Sequence, residues 1–173
     1  MSILNLVYAP ATVLEKKAHE VKNIDKSLKS FVNNMFDTMY KNNGVGLAAP
    51  QVNESLQVIV MDCSSKNKES NPRVLLNPKI INQSDTCKEY EEGCLSFPDH
   101  YFSISRPDSL NVKFLDLEGN KKETFFSGFE AVCVQHEIDH LSGTLFTSYI
   151  SRLKRQIIFK KMQKFKKNIN KSI

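Results

Sequence analysis

The chain has no apolar run near the eighteen or so residues that a membrane-spanning helix requires, so a membrane protein is not expected. Its N-terminus, MSILNLVYAPATVLEKK, carries no basic stretch ahead of its short apolar run, which argues against a secretory signal. Cysteine is scarce. Cys63, Cys87, Cys94 and Cys133 are too few for a disulfide scaffold, and in a cytoplasmic setting they suit free thiols or metal ligands. No internal repeat, linker or low-complexity segment divides the 173 residues, which favours one domain over 1–173. Acidic residues are missing from Arg152 onward, where nine basic ones lie. Without that tail the balance is 15 basic against 19 acidic residues, or −4, so the overall +5 belongs to the tail. Attraction to polyanions is expected there.

The apolar fraction of 40% and charged fraction of 25% are those of a globular domain. Leu28, Phe31, Val32, Met35, Phe36, Met39 and Tyr40 recur at helical spacing and predict an amphipathic helix over 25–42, with Asp25 as N-cap and Gly44 at its stop. QVIVMD, RVLLNPKII, LNVKFLD and KKETFFS are short β-rich segments separated by turn clusters such as KNKESNP and DLEGNKK. Connections this short cannot hold crossover helices, so the strands should pair antiparallel. Ser127-Gly-Phe-Glu130 fits a capping box opening a second helix, FEAVCVQHEIDHL, which is apolar on nearly every side. A third helix over about 148–167 would turn Ile150, Leu153, Ile157 and Phe165 inward. The fold class is α+β: helices on a mostly antiparallel sheet, with the HExxH helix at its centre.

His136-Glu137-Ile138-Asp139-His140 carries the strongest chemical signal. Residues four apart share a helix face, so both imidazoles can reach one cation, and Glu137 beside them can deprotonate a water held there. Two ordinary helix histidines are the bland alternative, but a helix this apolar leaves unpaired histidines and acids costly. A catalytic metal usually has three protein ligands and an open position. No Asp, Glu, His or Cys follows His140, and Phe146 stands where a metzincin has its last histidine, so the third ligand must lie upstream. Cys94, in Glu92-Gly93-Cys94-Leu95-Ser96, is the best candidate. Gly93 would let the backbone bend around the metal and free the Leu95 N–H to point into the site. Cys63, Cys87 and Cys133 compete, the last reading better as a packing residue, and His19 and His100 lie in polar, loop-like surroundings.

Gly44-Val45-Gly46-Leu47-Ala48-Ala49-Pro50-Gln51 matches a relaxed dinucleotide fingerprint, GxGxxA. That fingerprint must follow a strand and open a helix; this segment follows a helix, and Pro50 is badly placed for a continuing one. The segment reads better as the extended wall of a cleft, with Gln51 as an amide donor. A tight loop of small residues is the structural alternative.

GVGLAAPQ, EGCLS and QHEIDH, in this order and at these separations, resemble the three signature motifs of peptide deformylase, over nearly the whole chain and in the bacterial form with a C-terminal helix. The resemblance implies removal of the N-formyl group from the initiator methionine of new polypeptides, with release of formate. It implies metal ligands Cys94, His136 and His140, with Glu137 as general base and then proton donor to the amine. Gln51 and the Leu95 N–H would stabilise the oxyanion, with the metal. Gly44, Val45, Gly46, Glu92, Gly93, Phe129, Val132 and Cys133 would border the substrate, Gly46 and its neighbours aligning it as an added strand. The metal would be Fe(II), with Zn(II), Ni(II) or Co(II) able to take its place. Where many members carry an arginine near the peptide channel, this chain has Tyr101. Arg106 is expected to pair with Glu92, and Asp139 to act outside the ligand set. The expected setting is cytoplasmic and the expected state a monomer, with N-formylmethionyl nascent peptides as substrates and the basic tail docking on the ribosome. A general metallopeptidase is the competing enzyme; a silent metal-binding module with a ribosome- or RNA-binding tail is the alternative outside enzymes.

Overall fold

The computed structural model describes residues 2–64 and 69–169, so part of the KNKESNP turn and the last four residues of the tail lie outside the described residues. The strand β2 (Val58–Met61) explains the layering. All four of its residues are apolar and buried. Successive strand residues point to opposite faces, so such a run needs cover on both sides. Helix α1 (Lys26–Lys41) packs Val32, Met35 and Met39 around Val58 and Val60. Helix α2 (Gly128–Ser142) packs Ala131, Cys133, Val134 and Leu141 around Ile59 and Met61. Between the helices runs a five-stranded sheet in the order β1 (Gly46–Ala48), β2, β3 (Arg73–Gln83), β6 (Ser109–Leu115), β7 (Lys121–Ser127). The two strands β4 (Cys87–Cys94) and β5 (Phe97–Pro107) form a separate hairpin. Every strand pair is antiparallel, and the α+β expectation holds.

Several local expectations need correction. Asp25 does cap α1, accepting from the Leu28 N–H at 2.9 Å. The left-handed residue after that helix, however, is Asn43 at φ 53°, not Gly44, whose N–H bonds the Met39 carbonyl at 2.9 Å. An asparagine tolerates this conformation better than most residues. Helix α2 starts after Ser127 as expected, but without the capping box: the Ser127 side chain makes no cap bond. Glu130 instead lies 3.9 Å from Arg73. Gly143 ends α2 at φ 78°, where a Cβ would come within 2.7 Å of the Glu15 backbone. Both the conformation and the close approach demand glycine there.

Helix α3 spans Arg152–Ile169, starting later than expected because Phe146–Tyr149 forms a 3-10 turn. Its inward residues are Ile158 and Met162, with Phe165 partly buried beside them. Leu153 and Ile157, expected inward, are 68% and 48% exposed. Among the described residues no helix is long and apolar enough to cross a membrane.

Candidate active site

Helix α2 holds three ionisable residues in its buried stretch: His136, Glu137 and His140 are each at most 7% exposed. Their partners explain how they are tolerated there. His136 Nδ1 lies 2.9 Å from Glu92 Oε2, which leaves Nε2 for the site. Arg106 grips the same carboxylate with Nε and Nη2, and its Nη1 reaches Asp139 at 2.9 Å. The expected Arg106–Glu92 pair is therefore present, and Asp139 is bound outward to Arg106 rather than turned to the histidines.

The hairpin brings the third donor. β4 ends at Cys94, and the two-residue turn Leu95–Ser96 leads into β5. Cys94 Sγ lies 3.3 Å from His140 Nε2, and the donor atoms of Cys94, His136 and His140 all fall within 4.8 Å of one another. Ligands at about 2.0–2.3 Å from a tetrahedral ion sit roughly 3.5 Å apart, so this grouping matches a metal site. Cys63, Cys87, Cys133, His19 and His100 are not part of it.

The wall opposite is β1 and the 3-10 turn Ala49–Val52 after it. Gln51 Oε1 accepts from the Ala48 N–H at 2.8 Å, which fixes the amide and aims Nε2 at Cys94 Sγ, 3.5 Å away, and Ser96 Oγ, 3.4 Å away. The GxGxxA fingerprint has no helix to open here. Gly46 permits a close approach: a Cβ on it would meet Glu137 Oε1 at 2.6 Å and Cys133 Sγ at 2.9 Å.

Burial and neighbouring charges shift the three ionisable groups of α2 in different directions. Burial alone would lower the pKa of His136, yet hydrogen bonds to Cys94 and Glu92 outweigh it and hold the imidazole well above its ordinary value. Burial, with the positive charges of His136 and Arg106, pushes His140 well down, toward the neutral form that ligates metals. Glu137 is raised to about 7, first by burial; Glu92 and Asp139 add to the rise while His136 and Arg106 oppose it. Glu137 Oε2 and His140 Nδ1 are buried without a partner among the described residues. A soft thiolate, two imidazoles and an unpartnered carboxylate oxygen fit a divalent transition metal with a water beside it.

The family model described as polypeptide deformylase matches residues 3–156. The chain belongs to the polypeptide deformylase family. It is 44% identical over 168 residues to the peptide deformylase of Maricaulis maris, covering 97% of each chain. Among solved structures it resembles the peptide deformylase of Ehrlichia chaffeensis, with a TM-score of 0.92, 36% identity, and 96% and 98% of the two chains covered. It also resembles that of Legionella pneumophila, with a TM-score of 0.89, 43% identity and 98% of each chain covered. The Ehrlichia chaffeensis protein has further been solved in complex with actinonin; there the TM-score is 0.90, at 39% identity over 95% and 98% of the chains. The chain is accordingly a metal-dependent hydrolase that removes the N-formyl group from the initiator methionine of new polypeptides.

Within this deformylase the residues expected to touch substrate border one cleft of about 600 Å³: Gly44, Val45, Gly46, Glu92, Gly93, Phe129, Val132 and Cys133, with Gln51, Cys94, Leu95, His136 and Glu137. His140 lies behind Cys94, outside that lining. Val45 and Phe129 are 39% and 50% exposed at the rim. Tyr101 pairs opposite Gly93 and lies over it, at the outer edge of the cleft. Sequence reasoning missed Leu6 and Tyr8, which also line the cleft. They belong to an extended N-terminal stretch whose Val7 N–H bonds the Gln51 carbonyl at 2.8 Å and whose Ala9 N–H bonds the Ser96 carbonyl at 3.1 Å. No local sequence signal marks such a tertiary pairing. The stretch ties the turn carrying Gln51 to the turn carrying Ser96.

Proposed function

We propose that Cys94, His136 and His140 hold the metal and that Glu137 handles the protons of formamide hydrolysis. The convergence of the three donors beside an unpartnered Glu137 oxygen carries the reading. When bound, the ion supplies Lewis acidity and makes water acidic enough to ionise near neutral pH. Glu137, buried and with its pKa lifted into the neutral range, takes the proton from the attacking water and passes it to the departing nitrogen. The C–N bond of the formamide breaks; formate and the free methionine amine leave. Gln51 Nε2, held by the Ala48 N–H on its other end, and the Leu95 N–H donate to the oxyanion. The peptide lies along β1 at Gly46 as an added strand, its methionine side chain toward Val45, Phe129, Val132 and Cys133.

Fe(II) is the ion we assign in the cell, with Zn(II), Ni(II) or Co(II) as replacements; thiolate and imidazole donors accept them all. We place the enzyme in the cytoplasm as a monomer on nascent chains, with the lysine-rich outer face of α3 docking on the ribosome. We also expect actinonin to compete for the cleft. The test is formate release from formyl-Met-Ala-Ser under anaerobic conditions with added Fe(II) or Ni(II), wild type against Glu137→Ala, with metal content determined on the same samples. Release that collapses in the variant while metal stays bound supports the assignment. No release from fully loaded wild type, or cleavage of internal bonds in unblocked peptides, would overturn it.

A further inference from the structure

Arg106 is buried and engaged on every side. Its Nε and Nη2 hold Glu92, its Nη1 holds Asp139, and its guanidinium carbon lies 4.7 Å from the centroid of the Tyr149 ring. The Tyr149 hydroxyl donates to the same Asp139 oxygen at 2.8 Å. Tyr149 is 49% exposed, so packing alone gives little reason for an aromatic residue there. It closes the 3-10 turn between α2 and α3. The same turn puts Phe146 edge-on to the His136 ring, with centroids 5.8 Å apart.

We infer that Tyr149 is a positioning residue for the metal centre: by bridging Arg106 and Asp139 it fixes the Glu92 carboxylate that orients His136, so the turn after α2 governs how long the metal is held. The inference rests on the metal-site reading above. The ring covers one face of the guanidinium and keeps water from it, an attraction that strengthens as the cation is desolvated. The hydroxyl gives Asp139, whose side chain is 20% exposed, a second hold beside its bond to Arg106. Without the ring or the hydroxyl, Arg106 has an alternative to its place on Glu92, and the Glu92–His136 bond is deprived of its backing. Partners behind a ligating histidine govern metal retention as well as geometry.

The test uses the full chain loaded with Ni(II) and moved into excess chelator, with metal release timed for wild type, Tyr149→Phe and Tyr149→Leu. The phenylalanine keeps the ring and loses the hydroxyl; the leucine loses both. Release should quicken about threefold in the first and about tenfold in the second, against the roughly 10–100-fold typical of a direct partner of a ligand. The Co(II)-loaded leucine variant should show shifted visible bands, while the melting midpoint of metal-free Tyr149→Phe stays within about 2 °C of wild type. Release within twofold of wild type in both variants would overturn the inference. So would faster release that merely follows a lowered melting midpoint. Formate release by loaded wild type is measured in parallel; if it is absent the deformylase reading fails, and the release rates still decide the role of Tyr149.

Discussion

Helices α2 and α3 are of similar length and carry their charges in opposite ways. In the 15 residues of α2 the ionisable groups His136, Glu137 and His140 are buried among apolar neighbours. In the 18 residues of α3 only Ile158 and Met162 are fully buried, and the lysines are exposed except Lys166, which is half-buried and donates to the Pro10 carbonyl at 3.1 Å. A solvated lysine costs the fold almost nothing, whereas a buried imidazole or carboxylate is tolerated only where partners compensate it. Around α2 those partners are in place: Arg106, Glu92 and Asp139 form a connected charged network, and Glu137, with one oxygen unpartnered, lines the cleft. Burial of charge therefore locates function on α2, and its solvation on α3 gives no such indication.

The strongest way to break this contrast is to remove the cation at the centre of the α2 network. Arg106→Leu leaves Glu92 buried against His136 with no guanidinium, and loss of one partner from a buried pair costs about 3–5 kcal/mol. We expect a lower denaturation midpoint and reduced metal content after purification; an unchanged midpoint with full metal would show that the network is not structural. Next comes Gln51→Ala, which removes an oxyanion donor. It should lower kcat on a formyl peptide about a hundredfold or more, with bound metal unchanged. Steady-state kinetics with metal quantified on the same sample checks this.

α3 offers a test on its own surface. Met162→Ala empties a buried position between Phe165 and the hairpin cluster and should cost about 2–4 kcal/mol. Leu153→Ala, on an exposed position, should stay within about 0.5 kcal/mol. Equal losses in denaturant titrations would restore the inward face expected from sequence. For Leu153 and Ile157 that expectation failed for an identifiable reason, while Ile150 and Phe165 do pack inward. Leu153 and Ile157 form one apolar stripe and Ile158, Met162 and Phe165 another, about one residue apart around the helix, while Ile150 precedes the helix and packs on the inner cluster as expected. Which stripe faces the body depends on the 3-10 turn at Phe146–Tyr149, which shifts the start of α3 and has no local signature.

The same distinction governs what else the sequence made legible. HEIDH on an apolar helix and EGCLS on a turn are chemical requirements written locally, and the donors met where spacing required. The α1 pattern and four of the strands were legible because their periodicity follows burial on one or two faces. The hairpin strand β5, with prolines near both ends and mixed polarity, carries no such period, although it supplies Arg106 and Tyr101. The contribution of Leu6 and Tyr8 follows from backbone bonds to Gln51 and Ser96, which no local pattern announces. The Ser127–Glu130 capping box failed because the turn at Gly128 is fixed elsewhere, by its N–H on the Asp108 carbonyl at 2.8 Å.

A smaller effect sharpens the comparison through pH. Asp62 accepts from the Tyr40, Ser64 and Ser70 hydroxyls and from the Ser64 and Asn71 N–H groups. Burial opposes its ionisation, but these donors outweigh it and hold its pKa well below the carboxylate range. A folded pKa below the unfolded value of about 3.9 gives stability that is complete above about pH 5 and lost as the pH falls through the folded pKa. Asp62→Asn should therefore lower stability at neutral pH and flatten its decline between about pH 5 and 2, read from denaturation midpoints across that range.

The smallest effect is expected on the outer face of α3, where Lys160, Lys161 and Lys164 are exposed. Changing all three to glutamine should move stability by no more than about 0.5 kcal/mol, since solvated charges away from a network contribute little. Turnover of a short formyl peptide should also be unchanged, because none of the three lysines lines the cleft. If the lysines dock the enzyme on ribosomal RNA, affinity for ribosomes should fall in the variant and depend less steeply on salt, as the number of phosphate contacts falls. A variant that kept ribosome affinity and its salt slope but lost peptide turnover would reverse the division between the two helices, and would mean that solvated charge on α3 reaches the chemistry that buried charge on α2 was thought to hold alone.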